Sequence, residues 1–270
     1  MKKLFALALA LVMVLSMAAC GNNANVNAGD NANVNAGDNA NMNADDNANV
    51  NADVDADVDE DNDADINAKS EGVMTYAEYD AAALDTAVVV ECYVQGHQSW
   101  WDNKITVYAQ DGDGGYFMYE MACSEEDAAK LVPGTKIRVT GYKAEWEGEV
   151  EIIDGTFEIL EGSWIAEATD VTALLGTEDL IKHQNKKVIF SDMTIEVIEY
   201  KNGEPGDDIY VTVSKDGASY DFCVERYLTG PETEVYAAFA ELKAGDVVDI
   251  EGFLYWYAGV NTHITGVTTK

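Results

Sequence analysis

LVPGTKIRVTGYKAEWEGEVEIIDG, residues 131–155, recurs in outline as LKAGDVVDIEGFLYWYAGVNTHITG, residues 242–266, at a constant offset of 111. Four glycines keep their places, and apolar residues between them match in order. The pairs are Gly134 and Gly245, Gly141 and Gly252, Gly148 and Gly259, Gly155 and Gly266, Ile137 and Val248, Val139 and Ile250, and Ile153 and Ile264. Upstream, residues 105–120 parallel residues 209–225 with one gap. This agreement predicts a duplicated module.

Each copy alternates short runs of β-branched and aromatic residues with Gly, Asp and Asn turns, which is typical of an antiparallel barrel or sandwich. The predicted strands of the first copy are 87–95, 104–109, 115–122, 136–143 and 149–159. Those of the second are 187–199, 208–214, 218–225, 246–255 and 260–267. The sequence therefore predicts a mainly β fold of two tandem five-stranded OB-fold-like barrels.

Short helices complete this plan. A helical stretch follows the third strand of each copy, SEEDAAKLV in the first and PETEVYAAFAEL in the second. Thr75 and Glu78 form a capping-box pattern ahead of the first copy, and residues 174–182 are a looser counterpart ahead of the second. Five strands with a helix after the third is the arrangement of an OB-fold.

The chain opens as a secretory signal does, with two lysines and then an uncharged run from Leu4 to Ala19. Ala18, Ala19, Cys20 and Gly21 resemble the lipobox of bacterial lipoproteins, although Met17 stands where that family usually has Leu. The resemblance implies that Cys20 is lipidated and becomes the first residue of the mature chain. An ordinary signal peptide and an uncleaved anchor are the alternatives.

Residues 20–70 follow as the lipidated cysteine and a linker that repeats with period eight, as in NANVNAGD. So short a period with so few apolar residues predicts a disordered tether. We expect four segments: a signal peptide (1–19), this linker (20–70), and two OB-fold-like domains (71–162 and 163–270). The alternating aspartates of the linker lack the glycine and bidentate glutamate of a calcium loop, so weak cation condensation is the simpler interpretation.

Charge argues against a nucleic-acid partner. The chain has 16 Lys and Arg against 50 Asp and Glu, a net charge of −34. Residues 71–270 alone hold 38 acidic and 13 basic residues, a balance of −25. Nucleic-acid-binding domains usually show the opposite pattern, a basic stripe. The expected membrane contact is through lipid on Cys20 at the extracellular face.

The modules also resemble a known group. YAEYDAAALDTAVVVECYVQ, the SWWDNK loop and LVPGTKIRVTGYKAEWEGEVEI are similar to OB-fold-like modules of secreted lipoproteins of Gram-positive bacteria, many of which have no assigned function. The likeness covers residues 73–160 well and 170–270 more loosely. It implies a barrel and a surface location, and it implies no catalytic residue.

Aromatic loops give the candidate binding residues. OB barrels bind ligands on strands 2 and 3, between the loop joining strands 1 and 2 and the loop joining strands 4 and 5. In this sequence those loops supply His97, Trp100, Trp101 and Trp146 from the first copy, and Tyr255, Trp256 and Tyr257 from the second. The alternative is that these rings close the barrel ends or pack between the modules.

The sequence offers little evidence for metal binding or catalysis. His97, His183 and His263 are far apart, DGDGG at 111–115 is typical of a hairpin turn, and Ser99 lacks a nucleophile elbow. Cys92 fits a buried position, and a Cys92–Cys123 disulfide stays open. We therefore predict a non-enzymatic surface lipoprotein without cofactor or metal that binds a glycan or peptide. A scaffold for another envelope protein, or an accessory to a hydrolytic system, is the alternative.

Overall fold

A computed structural model describes residues 66–270, all of which belong to one compact unit. The predicted signal peptide, Cys20 and the linker to residue 65 lie outside the described residues. Within residues 66–270, no helix has both the length and the apolar character needed to cross a membrane. This part of the chain is mainly β, as predicted.

The first copy forms a closed five-stranded barrel. Its strands follow the order β1-β2-β3-β5-β4, and β4 pairs with β1 to close the ring. Helix α2 lies between β3 and β4, which is consistent with an OB-like plan. The elements are α1 (Tyr76–Ala81), β1 (Ala87–His97), β2 (Lys104–Gln110), β3 (Gly115–Ala122), α2 (Glu125–Ala128), β4 (Thr135–Trp146) and β5 (Glu149–Ser163).

The second copy forms a six-stranded sheet. Its order is β10-β11-β9-β8-β7-β6, and β10 also pairs with β7. The elements are β6 (Thr169–Asp170), β7 (Lys187–Tyr200), β8 (Ile209–Lys215), β9 (Ala218–Val224), α3 (Glu234–Glu241), β10 (Val247–Phe253) and β11 (His263–Thr269). The helix expected over 174–182 is absent. Two 3₁₀ turns flank Gly176, whose φ of 74° interrupts a helix.

Local signals in the sequence explain the elements of the first copy. Thr75 Oγ1 accepts the Glu78 N–H, and Glu78 Oε2 accepts the Thr75 N–H at 2.8 Å, so the capping box that starts α1 is confirmed. Alternate residues of β1, including Val88, Val90 and Cys92, point into the barrel and are fully buried. Cys92, Cys123 and Cys223 are free thiols.

The DGDGG stretch at 111–115 forms a turn. Its first residue, Asp111, also binds the segment that precedes α1. Asp111 Oδ1 accepts the N–H groups of Asp113 and Gly114, at 2.9 and 2.7 Å. Asp111 Oδ2 accepts the Tyr116 hydroxyl and pairs with Lys69 Nζ at 2.6 Å. Both charged side chains are buried. Lys69 therefore holds the segment before α1 against the barrel.

The second sheet packs on the outer face of β2 and β3. Tyr108 of β2 stacks on Phe253 of β10, with ring centroids 4.5 Å apart and an interplanar angle of 11°, and Phe117 of β3 joins this small core. Gly115 allows close approach, because a Cβ there would lie 2.3 Å from the carbonyl carbon of Asn185. The face on which OB barrels usually bind ligands is therefore largely occupied by the chain's own second copy.

Candidate functional site

A cleft of about 570 Å³ opens between the two copies, and we call it the Trp101 cleft. Trp101 is 78% exposed and Tyr227 is 51% exposed, and both side chains line it. Cations come from both copies, Lys104 from the barrel and Arg226 from the second sheet. Its other lining residues include Ser99, Glu120, Pro231 and Glu232. Exposed rings beside cations can stack on a flat, anionic ligand.

A tight turn presents Trp101. Trp101 and Lys104 exchange two backbone hydrogen bonds, at 3.0 and 2.9 Å. Between them Asp102 and Asn103 have φ of 49° and 59°, the left-handed region that Asp and Asn tolerate better than most residues. The two-residue loop therefore places Trp101 at the tip of the hairpin.

The opposite wall is fixed by one partly buried carboxylate. Glu225 Oε2 accepts the N–H groups of Tyr227 and Leu228, at 3.0 and 2.9 Å. Burial raises the pKa of Glu225 to about 7, although these two hydrogen bonds oppose the rise. The Ser99 N–H donates to the Tyr227 carbonyl oxygen at 2.6 Å, which ties the two walls together.

The cleft carries balanced charges. Lys104 Nζ pairs with Glu120 at 2.6 Å, and both side chains are about half exposed. The Arg226 guanidinium lies over the Tyr227 ring at 4.9 Å, and its nearest carboxylate, on Asp207, is 3.9 Å away. Since Arg226 makes no close ion pair within residues 66–270, it can turn its donors toward a ligand.

The side chains of the first predicted loop lie in different environments, some in the core and one at the surface. Trp101 lines the cleft, whereas Trp100 packs against the barrel core and donates its indole N–H to the Cys123 carbonyl at 2.9 Å. His97 is half-buried, with Nδ1 2.8 Å from the Gln98 carbonyl oxygen. Of these three side chains, Trp101 is the one placed to meet a ligand in the cleft.

The other predicted rings lie at the far end of the barrel. β2 runs from Lys104 at the cleft to Gln110, beside Gly115, and Gly115 contacts Asn185. Asn185 in turn donates to Val150 in the hairpin that carries Trp146, which is 59% exposed. Tyr255, Trp256 and Tyr257 also lie at this end. Tyr255 stacks on His263 at 4.1 Å, the Trp256 N–H donates to Glu149, and Tyr257 is exposed.

The histidines and Ser99 are not arranged for hydrolysis. The Ser99 hydroxyl donates to the Tyr227 carbonyl oxygen at 3.2 Å and does not pair with His97. His263 Nδ1 lies 2.6 Å from the Tyr108 hydroxyl, and burial lowers the pKa of His263 to about 3. Over residues 66–270, no three His, Cys, Asp or Glu side chains group together as metal ligands.

Sequence reasoning missed Lys104, Arg226 and Tyr227. The OB pattern directs attention to two loops of each copy, whereas Arg226 and Tyr227 follow the third strand of the second copy. A signal was present, since RYLTGP at 226–231 places a cation and a ring in a turn-forming stretch of an otherwise acidic chain.

No family model and no curated protein matches this sequence. Solved structures show distant likeness. A murine DNA-binding protein bound to double-stranded DNA is 10% identical, with 67% of this chain and 94% of that chain covered at a TM-score of 0.33. The Ifi202 HINa domain in complex with 20-base-pair double-stranded DNA is 9% identical, with 68% and 98% covered at 0.31. The p202 HIN1 domain with 12-mer double-stranded DNA is 8% identical, with 70% and 96% covered at 0.32.

These neighbours contradict two predictions, the glycan or peptide ligand and the exclusion of nucleic acid. The exclusion of nucleic acid was inferred from the net charge, and net charge is a poor guide to binding at one site. Net charge describes the field of the whole molecule, whereas contact with a nucleic acid is decided by the groups at the site. Here Lys104 and Arg226 stand beside two exposed rings despite the balance of −25 over residues 71–270.

Proposed function

We propose that this protein is a non-enzymatic OB-type protein that binds single-stranded nucleic acid in the Trp101 cleft. The observation that carries the proposal is the meeting of Trp101 and Tyr227, both exposed, with Lys104 and Arg226 in one opening. Base stacking on aromatic side chains beside backbone cations is the general mode of single-strand binding. A volume of about 570 Å³ suits one or two nucleotides.

The number of cations in the cleft sets the expected specificity. Lys104 and Arg226 can neutralise few of the densely spaced phosphates of a duplex. A single strand can insert unpaired bases between the rings and place few phosphates near the protein. With two cations available, we expect the logarithm of the affinity to fall with the logarithm of salt concentration at a slope of about −1.4.

Replacing Trp101 by alanine is expected to weaken binding of a labelled single strand of about six nucleotides by roughly 1–3 kcal/mol, because one stacking surface is lost. Fluorescence anisotropy measures this loss in the full-length chain. Arg226→Gln should weaken binding and flatten the salt slope.

Trp146→Ala is the matched control, since it removes another exposed indole, at the opposite end of the barrel. We expect it to bind as the wild type does. Equal losses in Trp101→Ala and Trp146→Ala, or tighter binding of the duplex than of the single strand, would contradict the assignment of the cleft.

The second sheet, in this proposal, is a barrel of the same design as the first. The support is the pairing of β10 with both β11 and β7, which links β7, β8, β9, β11 and β10 in the ring order of the first copy. The domain limits 71–162 and 163–270 belong to this proposal. They place every strand of each sheet within one domain, apart from Ser163 at the end of β5.

Lipid on Cys20, at the outer face of the membrane, is the proposed anchor. The support is the small-residue motif before Cys20 and the apolar run that precedes it. Metabolic labelling with palmitate is expected to mark the wild type and not Cys20→Ala, and globomycin should cause the unprocessed precursor to accumulate. Label that persists in Cys20→Ala would overturn the anchor while leaving the cleft untouched.

A further inference from the structure

One acid in the lining of the Trp101 cleft has no partner. Glu232 is exposed and lines the cleft, and within residues 66–270 its carboxylate makes no hydrogen bond and no ion pair. Glu120, the second acid of the lining, pairs with Lys104 Nζ at 2.6 Å. Of the two acids, Glu232 is therefore the one whose oxygens can accept hydrogen bonds from a ligand.

The loop that carries Glu232 is fixed by its own hydrogen bonds. The Gly230 carbonyl oxygen accepts the Thr233 N–H at 2.9 Å and the Thr233 hydroxyl at 2.8 Å. Thr233 Oγ1 accepts the Tyr236 N–H and so caps α3. A Cβ at Gly230 would lie 3.0 and 3.2 Å from the two carboxylate oxygens of Glu232. The carboxylate therefore lies against the loop backbone, with no donor on either oxygen.

The charges of the cleft are divided between two tasks. Lys104 is neutralised by Glu120, whereas Arg226 makes no close ion pair within residues 66–270. Arg226 is therefore the cation free to meet a phosphate. A carboxylate only accepts hydrogen bonds and repels phosphate, so Glu232 is suited to the donors on the edge of a base.

The bases differ in the donors that they can offer to a carboxylate. Proteins read unpaired bases on their Watson–Crick edges. Guanine presents two adjacent donors there, N1–H and N2–H, which match the two oxygens of a carboxylate. Adenine and cytosine present one amino group beside an acceptor, and thymine and uracil present one N–H between two carbonyl oxygens. A carboxylate therefore favours guanine and opposes thymine and uracil most.

We infer that the Trp101 cleft prefers a guanine base, a preference that rests on the proposed function of the cleft. The base stacks on the exposed rings of Trp101 and Tyr227, and Glu232 accepts its N1–H and N2–H in a bidentate pair. Arg226 contacts a phosphate of the same strand. In a duplex the guanine N1–H is already paired with cytosine, so this contact also favours a single strand.

Two labelled DNA hexamers, one of thymidine alone and one with a single guanine near its middle, test the inference. In fluorescence anisotropy with the full-length chain, we expect the guanine strand to bind about tenfold more tightly, as is typical of one bidentate pair to a base edge. 7-Deazaguanine keeps the Watson–Crick edge and should preserve this gain. O6-methylguanine lacks the N1–H and should abolish it.

Two variants assign the preference to one side chain. Glu232→Gln changes an exposed residue, so the fold should persist, and it is expected to bind the two strands with equal affinity. Glu234→Gln is the matched control, because it changes an exposed acid two residues later that is not in the cleft lining, and it should keep the guanine preference.

The outcomes separate this inference from the proposed function. Equal binding of both strands by the wild type, or a guanine preference that survives in Glu232→Gln, would overturn the guanine inference. The proposed function would stand in either case if Trp101→Ala still weakened binding of the thymidine strand. Failure of both strands to bind the wild type would overturn the proposed function and the guanine preference with it.

Discussion

Phe253→Ala is expected to lower the free energy of unfolding by about 3–5 kcal/mol, the usual cost of removing a buried Phe side chain. The ring is 2% exposed and lies between the two copies, stacked on Tyr108. Its loss leaves a cavity that neither sheet can fill from its own core, since the main core of each sheet lies in its interior. Chemical denaturation followed by Trp fluorescence measures the change.

Tyr210→Ala serves as the control, because it removes a ring of similar size that is 44% exposed and should change stability by less than about 0.5 kcal/mol. If Phe253 couples the sheets, the wild type should unfold in one transition and Phe253→Ala in two. A loss below about 1 kcal/mol in Phe253→Ala would show that the small core between the copies contributes little to stability.

The docked second sheet decides where a ligand can bind. In an isolated OB barrel the outer face of β2 and β3 is the natural platform. Here Tyr108 and Phe117 use that face to hold Phe253. Space for a ligand is left at the Lys104 end of β2, which carries the Trp101 cleft.

Much of the first copy could be predicted from sequence because its signals are local. The alternation in β1 and β4, the Thr75–Glu78 capping box and the Asp-Gly turn each specify a structure within a few residues. The repeat at an offset of 111 then located matching strands in the second copy. The 3₁₀ turns near Gly176 were missed, since a few apolar residues at helical spacing do not exclude them.

The placement of the aromatic rings could not be predicted in the same way. An outward-facing ring has the same sequence pattern whether it meets solvent or a second sheet, so Trp256 and Trp146 looked alike. One signal in the sequence did indicate which face of the barrel is covered. Phe117 and Tyr108 are large apolar residues at outward positions of consecutive strands, which is a pattern typical of a covered face.

Glu149→Gln is expected to stabilise the protein at alkaline pH and to change little near pH 4. Glu149 of the β4–β5 hairpin is fully buried. The Trp256 N–H and the Gln184 side chain donate to Oε2, at 2.8 and 3.2 Å, whereas Oε1 has no partner among the described residues. Burial raises the pKa of this carboxyl to about 8 despite those hydrogen bonds.

A raised carboxyl pKa means that the folded state holds a proton that the unfolded state releases near pH 4.3. The resulting stability is complete below that pH and is lost progressively as the pH rises to about 8. Relative to Glu149→Gln, the wild type should lose roughly 3–5 kcal/mol between pH 4 and pH 9. Other titrating groups cancel in this difference.

Denaturation of both proteins across that range, with Glu158→Gln as the exposed control, measures the effect. Glu158→Gln should follow the wild type at every pH, since its side chain is 71% exposed. A difference between wild type and Glu149→Gln that stays constant with pH would mean that Glu149 is ionised in the folded protein. In that case Gln184 and the Trp256 N–H would be balancing a buried charge where the copies meet, and removing Gln184 should then destabilise the protein more at pH 9 than at pH 4.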